Sequence, residues 1–228
     1  MCNNACIKFA QSYILENEIK DRGVLEVGSL DVNGSLRNFV EGLHPSIYLG
    51  VDIVRGEGVD IICDVKDLTK KFGKNSFDVV ICTEVLEHVR NWRLGVSNLK
   101  NILKPQGTLI VTTRSKGFGY HGYPFDFWRY EVEDIQAIFS DIHQVAVEKD
   151  PLTPGVFFKG RKPDPFIEVN YQKFKLYSII ASERCRDIRK SNIIAFRIKW
   201  HLRRFLSPIL PLPIKNVIKK VLTRMVCV

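Results

Sequence analysis

Apolar residues along the chain fall into short continuous runs, separated by segments where they recur every three or four positions. Val24–Val27, Ile47–Val51, Val59–Cys63, Phe77–Cys82 and Thr108–Thr112 are rich in valine and isoleucine, the pattern of strands buried on both faces. Between them, Leu36, Phe39, Val40 and Leu43 give one apolar face to a helix over Ser35–Leu43. Leu86 and Val89 predict a helix starting near Val85, and Trp92–Leu103 a further helix stopped by Pro105 and Gly107. Glu131–Phe139 is helical, and Val145–Val147 and Val156–Lys159 read as closing strands around Pro151, Pro154 and Gly155. Ile7, Phe9, Tyr13, Ile14 and Ile19 suggest a short helix ahead of the first strand. Seven strands alternating with helices predict an α/β sheet covered on both faces.

The pattern changes after "RKPDP" at 161–165. Ile194, Ile198, Leu202 and Phe205 form a stripe at helical spacing, with Arg197, Arg203 and Arg204 off it. "SPILPLP" interrupts, and Val217, Ile218, Val221, Leu222 and Met225 form a second stripe beside Lys215, Lys219, Lys220 and Arg224. These are basic amphipathic helices. The expected division is an N-terminal helix over 1–20, a central domain over 21–163 and a basic helical extension over 164–228.

Charge follows the same division. The net charge is +9, yet from Asn170 onward 14 Lys/Arg face only Glu183 and Asp187, which leaves the rest slightly acidic. With 45% apolar and 26% charged residues the chain is of ordinary soluble composition. No run approaches the roughly 18 apolar residues of a membrane span, and no signal-type segment leads the chain. The six cysteines lack CxxC spacing, Cys63 and Cys82 sit in strand runs, and Cys227, next to last in this sequence, is not expected to be a prenylation site. The expected setting is cytoplasmic, with the inner membrane face as the surface a basic tail would meet.

Ligands of an open α/β sheet lie beyond the carboxyl ends of its strands. Glu26, Gly28 and Ser29 follow the first run; Asp52 ends the second, Asp64 the third, and Thr83 and Glu84 the fourth. A glycine lets a ligand approach backbone, and Asp52 is placed to accept from ribose hydroxyls. Asp64 can accept from an adenine amine. Each acid alone also reads as a turn residue or helix cap; the ordered set points to an adenosine-type ligand.

The segments "VLEVGSLDVNGS", "YLGVDI", "IICDV", "FDVVICTEVLEHV" and "LKPQGTLIVTT" resemble, in order, the motifs of class I S-adenosylmethionine-dependent methyltransferases over about residues 20–160. The resemblance implies a seven-stranded Rossmann-like sheet with its last strand antiparallel, and S-adenosyl-L-methionine as cofactor. It places Glu26, Gly28 and Ser29 at the methionine end, Asp52 on the ribose and Ile53 beside the adenine. Asp64 and Val65 would read the adenine edge, and Thr83 and Glu84 flank the sulfonium. Leu30 replaces the middle glycine of the usual E-x-G-x-G-x-G, which argues against a pyrophosphate seat more than against a methyltransferase. Asp31, Asn33 and Gly34 read as turn residues before a helix capped at Ser35.

The segment "SKGFGYHGYPFDFWRYEVED" (115–134) gathers Tyr120, His121, Tyr123, Asp126, Trp128 and Arg129. It resembles acceptor loops of methyltransferases that act in glycan assembly. His121 is the first choice of general base, with Asp126 or Arg129 orienting the acceptor; His88 is the second base. A packing lid is the bland alternative. His44, His143 and His201 have no chemical neighbours, and no metal-ligand spacing occurs.

The expected activity is methyl transfer to a hydroxyl of a small-molecule, glycan or lipid-linked acceptor. The alternatives are a non-catalytic cofactor-binding or docking protein, and an RNA methyltransferase. "CTEVLE" stands where base methyltransferases carry Asn/Asp-Pro-Pro-aromatic, which argues against nucleic acid. For the basic tail (residues 190–228), an anionic membrane surface, packing on its own domain or a homo-oligomer contact, and RNA phosphates stay open.

Overall fold

A computed structural model describes residues 4–122 and 125–209, with the side chains of 203–209 outside the description. Two helices, α1 (Asn4–Tyr13) and α2 (Glu16–Ile19), precede the sheet. They are followed by β1 (Gly23–Val27), α3 (Arg37–Glu41), β2 (Ile47–Asp52), β3 (Ile61–Ile62), α4 (Leu68–Phe72), β4 (Phe77–Thr83) and α5 (Trp92–Ile102). Then come β5 (Leu103–Arg114), β6 (Trp128–Arg129), α6 (Val132–Ile138), β7 (His143–Lys149) and β8 (Gly155–Arg161). The main sheet has seven strands in the order β3-β2-β1-β4-β5-β8-β7. β1 to β5 pair in parallel, and β8 inserts antiparallel between β5 and β7. This is the expected α/β architecture.

Successive strand residues point to opposite faces, and the two cores divide accordingly. Val24, Val79, Ile81, Ile110 and Phe157 pack with Phe9, Ile19, Leu36 and Val40 under α1–α3. Their neighbours Leu25, Val80, Cys82, Leu109, Val111 and Phe158 pack with Trp92, Leu99, Ile135 and Phe139 under α5 and α6. Burying a side chain of this size stabilises by about 1.5–3 kcal/mol, which is why these runs read so clearly as strands.

Several elements differ from expectation for local reasons. The run Val59–Cys63 makes only the two-residue β3, because Gly58 (φ +81°) and the bond from Asp60 N–H to Gly50 O bend the chain ahead of it. The helix expected from Val85 is a single 3-10 turn over Leu86–His88; Val89 is extended, and the Asn91 side chain caps a new helix by accepting from Leu94 N–H. The helix ahead of Pro105 and Gly107 ends at Ile102, but the strand expected from Thr108 already begins at Leu103, with a bulge where the register shifts and Gln106 takes φ +63°.

The largest difference lies beyond residue 163. Apart from a 3-10 turn at Tyr171–Lys173, helix is not the conformation of 164–189: β9 (Leu176–Ser178) pairs with β6 and β10 (Glu183–Cys185) with β9 in a second, three-stranded antiparallel sheet. Tyr171, Leu176, Ile180 and Ile188 are buried in the same core as Trp92 and Trp128. Aromatic and aliphatic residues in "NYQKFKLYSII" suit short half-buried strands better than a polar-faced helix. Arg93 ties this strap to α5, donating to the carbonyls of Tyr171, Phe174 and Arg186 and to Asp187 Oδ1. The expected helix begins only at Lys190, as α7 (Lys190–Ile209). The second stripe, Val217–Met225, lies outside the described residues, as does the side chain of Phe205.

Candidate active site

The strand order reverses between β1 and β4, and the predicted acids stand at that carboxyl edge. After β1 the chain turns at Gly28 (φ +80°), and the N–H groups of Gly28 and Ser29 both donate to Val51 O on β2. A Cβ on Gly28 would come 2.2 Å from Val85 Cγ2, so glycine is required by conformation and by space. Asp31 Oδ1 then accepts from Gly34 N–H, and Ser35 Oγ accepts from Arg37 N–H. Turn chemistry therefore occupies 31–35 and leaves 26–30 facing the crevice.

Each predicted cofactor residue has a distinct setting. Glu26 is buried and accepts from the Tyr48 hydroxyl; burial pushes its carboxyl up to about 7, against the opposing effect of that bond. Tyr48 lies under the Arg37 guanidinium, 4.6 Å from its ring, and Arg37 in turn donates to Asp60 and Gly58 O. Ser29 Oγ is buried without a hydrogen-bond partner. Asp52 is half-buried and accepts from the N–H groups of Leu30 and Val54, with acceptor capacity left over. Ile53 is largely exposed and, with Ile62, Cys63, Asp64, Asp67, Lys70 and Lys71, lines an open cleft of about 540 Å³.

Two predicted contacts are already committed elsewhere. Asp64 caps the turn after β3, accepting from Lys66 N–H and pairing with Lys66 Nζ at 2.9 Å, while the Val65 side chain is buried in the core. Thr83 and Glu84 are both buried. Glu84 takes φ +58°, a strained conformation for a side-chain-bearing residue, and its carboxylate meets Thr112, Cys6 and Arg114. Burial and the nearby Glu87 raise its pKa, against Arg114.

The acceptor-side residues come together around Glu87, which no sequence signal singled out. Glu87 is fully buried in the turn after β4 and accepts from Thr113 Oγ1. His121 sits between two carboxylates, with Nδ1 2.9 Å from Asp126 Oδ2 and Nε2 3.7 Å from Glu87 Oε1. Burial alone would lower its pKa, but the facing carboxylates of Asp126 and Glu87 outweigh it and raise the value to about 9. Glu87 and Asp126 are correspondingly held low, burial opposing and the cationic partners prevailing.

Asp126 and Arg129 are the expected acceptor-orienting pair, yet both side chains are buried. Arg129 donates to both Asp126 oxygens at 2.5 and 2.6 Å, and to the carbonyls of Phe118 and Gly119. They shape the loop from within and do not reach into the crevice. Tyr123 lies outside the described residues.

His88 differs from His121. Its Nδ1 is 2.6 Å from Phe125 O, and a carbonyl can only accept, so Nδ1 carries a proton and Nε2 is the nitrogen that holds the lone pair in the neutral ring. The two imidazole rings are 4.8 Å apart. Ligand atoms of Glu87, His88 and His121 lie within 4.8 Å of one another, a grouping that sequence spacing does not show. The His121 proton already balances the two carboxylates beside it, so a cation would have to displace that proton.

Residues 12–144 match the family model described as a methyltransferase domain. Over 115 residues the chain is 29% identical to the ubiquinone biosynthesis O-methyltransferase of Rickettsia canadensis, covering 44% of this chain and 49% of that protein. It is 33% identical over 73 residues to a reducing polyketide synthase of Aspergillus oryzae, 32% of this chain and 3% of the synthase. The chain thus spans about half the length of the first relative and a small part of the second. Among solved structures, the Burkholderia thailandensis 1,6-didemethyltoxoflavin-N1-methyltransferase, bound to S-adenosylhomocysteine, aligns with TM-score 0.55 at 16% identity, covering 71% of this chain and 80% of that one. The Haloferax volcanii methyltransferase solved with its Trm112 activator also aligns at 0.55, with 14% identity over 70% and 89% of the two chains. These structural likenesses speak to the fold. Taken with the matched family model and the sheet order, they establish that the chain belongs to the class I S-adenosylmethionine-dependent methyltransferases.

Proposed function

We propose that the chain moves a methyl group from S-adenosyl-L-methionine to a hydroxyl of a small-molecule acceptor, a glycan or lipid-linked molecule included, with His88 as general base. The cofactor supplies a methyl group on a sulfonium, already activated for displacement. The residues present fit it. Gly28 and Ser29 offer close backbone approach and an unpartnered buried hydroxyl for its methionine end, beside Glu26 and Thr83. Asp52 has spare acceptor capacity for ribose hydroxyls, and Ile53 with the cleft beside Asp64 takes the adenine. Asp64 reads the adenine edge through whatever its Lys66 contacts leave free, Val65 offers only backbone, and Glu84 shapes the sulfonium side from beneath.

The observation that carries the proposal is the tautomer of His88. Its bond to Phe125 O occupies Nδ1 as the donor and leaves Nε2 of the neutral ring as the nitrogen to take a hydroxyl proton as the oxygen attacks. His121, charged between Glu87 and Asp126, has no free lone pair at neutral pH and acts as a positioning residue for the loop and for His88. Phe118, Tyr120 and Phe125 wall the same side. The relatives named for ubiquinone biosynthesis and toxoflavin methylation support an acceptor of small-molecule size.

The test uses the full chain: calorimetry with S-adenosylmethionine, and transfer of a labelled methyl group to a panel of hydroxylated small molecules, glycans and lipids. Binding of the cofactor, with transfer lost in His88→Asn, supports the proposal. Cofactor binding with transfer unchanged in His88→Asn removes His88 as base. No cofactor binding to folded protein overturns the whole reading.

A further inference from the structure

Helix α7 has two faces with opposite settings. On the inner face Ile193 and Phe196 pack against the core, with the Phe196 ring 4.9 Å from Tyr120. One residue on, the Arg197 guanidinium lies 5.1 Å over the ring of Phe125. Tyr120 and Phe125 flank His121 in the acceptor loop, and it is the carbonyl of Phe125 that holds His88. Only two contacts therefore separate the helix from the proposed base.

The outer face carries Ile194, Ile198 and Leu202, spaced four apart and 59%, 56% and 54% exposed. Three large aliphatic side chains in line on a solvent-facing helix are unstable without a cover. Residues 190–228 hold nine Lys/Arg and no Asp or Glu. Lys190 and Arg197 fall by helical position on one flank of the apolar line, and Lys199 and Arg203 on the other. No helix of the described residues is long and apolar enough to cross a membrane.

We infer that α7 lies flat on an anionic lipid bilayer and that this docking sets the acceptor loop through Phe196 and Arg197. The inference builds on the methyltransferase reading and adds its partner and its control. Charge decides the occupant. A second copy would bring the same nine cations against these, and the second apolar stripe of this chain would bring Lys215, Lys219, Lys220 and Arg224. An RNA would engage the flanks and leave the aliphatic line in water. An anionic bilayer satisfies both: its acyl region covers Ile194, Ile198 and Leu202, and its headgroups meet the flanking lysines and arginines.

The experiment compares the full chain with the double variant Ile198→Glu, Leu202→Glu, whose substitutions lie on the solvent face and spare the packed one. Both are sedimented with vesicles of phosphatidylcholine plus phosphatidylglycerol, and of phosphatidylcholine alone. Expected is binding to the anionic vesicles, weakened about tenfold or more in the variant and lost with phosphatidylcholine alone. Hydrogen exchange should change across 115–122 and 125–127 of the wild type when anionic vesicles are added. Equal sedimentation of both proteins overturns the docking; docking without any change in loop exchange overturns the coupling. A wild-type dimer that the variant dissociates, or oligonucleotide binding that persists in the variant without vesicle binding, assigns the helix elsewhere and also overturns it. Calorimetry with S-adenosylmethionine on the same samples separates the two readings. Cofactor bound by both proteins and vesicles by neither defeats this inference alone; vesicles bound without cofactor defeats the methyltransferase reading.

Discussion

The cofactor wall and the acceptor wall are built from different materials. Along β1, β2 and β3 the site consists of backbone turns and carboxylates held by neutral donors or by a neighbour in the chain: Asp52 accepts from the N–H groups of Leu30 and Val54, Asp64 pairs with Lys66, and buried Glu26 accepts from the Tyr48 hydroxyl. Across the crevice, Glu87, His121, Asp126 and Arg129 form a charged cluster in which three of the four side chains are fully buried and every one faces an opposite charge. The first wall is held by the sheet and can lose a side chain without losing shape. The second is held by its own charges, so its side chains are structure and chemistry at once.

Breaking that contrast starts with the group that belongs to the chemistry alone. His88→Asn can keep a donor to Phe125 O while removing the basic nitrogen. Turnover should fall by about 10²–10⁴-fold, with cofactor affinity by calorimetry unchanged. A parallel loss of cofactor affinity would place His88 on the other wall.

Next in size is the removal of an ion from the acceptor wall. Asp126→Asn leaves Arg129 and His121 facing a neutral amide in a buried setting, and breaking such a pair from one side costs about 3–5 kcal/mol. Thermal melting should show that loss whether or not cofactor is added. The matching change on the cofactor wall is milder. Asp52→Asn touches a half-buried side chain whose partners are two backbone N–H groups, so the melting temperature without cofactor should hold. The dissociation constant for S-adenosylmethionine should rise about tenfold to a hundredfold, the worth of charge-assisted hydrogen bonds of about 1.5–3 kcal/mol. If Asp52→Asn melts early and Asp126→Asn does not, the contrast between the walls is inverted.

The same contrast explains what could be read from the chain before its structure. Strand runs, the glycine at 28 and the acids at strand ends are local patterns, because the cofactor wall is built where strands end and each strand end is marked by its own adjacent residues. Glu87 has no local pattern: its burial is created by Thr113 and His121, 26 and 34 positions away in the chain. Asp126 and Arg129 were legible as residues but not as a buried pair, since adjacency in a loop does not say which way side chains point. The strap 164–189 was hidden for a similar reason. Its short strands exist because β6 and α5 offer them partners, and net charge drew attention to the basic residues that lie on its outside.

The smallest effect sharpens the comparison most finely, since it needs no change of fold. His121 titrates at about 9 in the folded chain against 6.5 when unfolded, so the native state binds its proton more tightly. The groups facing it are Glu87 and Asp126, both held charged, with Arg129 beyond and the His88 ring alongside. A raised folded pKa gives stability that is fully present below pH 6.5 and is lost as pH rises through about 9. The gap in melting temperature between the wild type and His121→Gln should therefore be widest at pH 6.5 and below, and close progressively toward pH 9. The cofactor wall supplies the control, because Asp52→Asn leaves His121 and the carboxylates facing it in place, and its gap should stay level. A His121→Gln gap that stays constant across the window would mean that the acceptor wall is held by packing of the aromatic rings and not by the charge on His121.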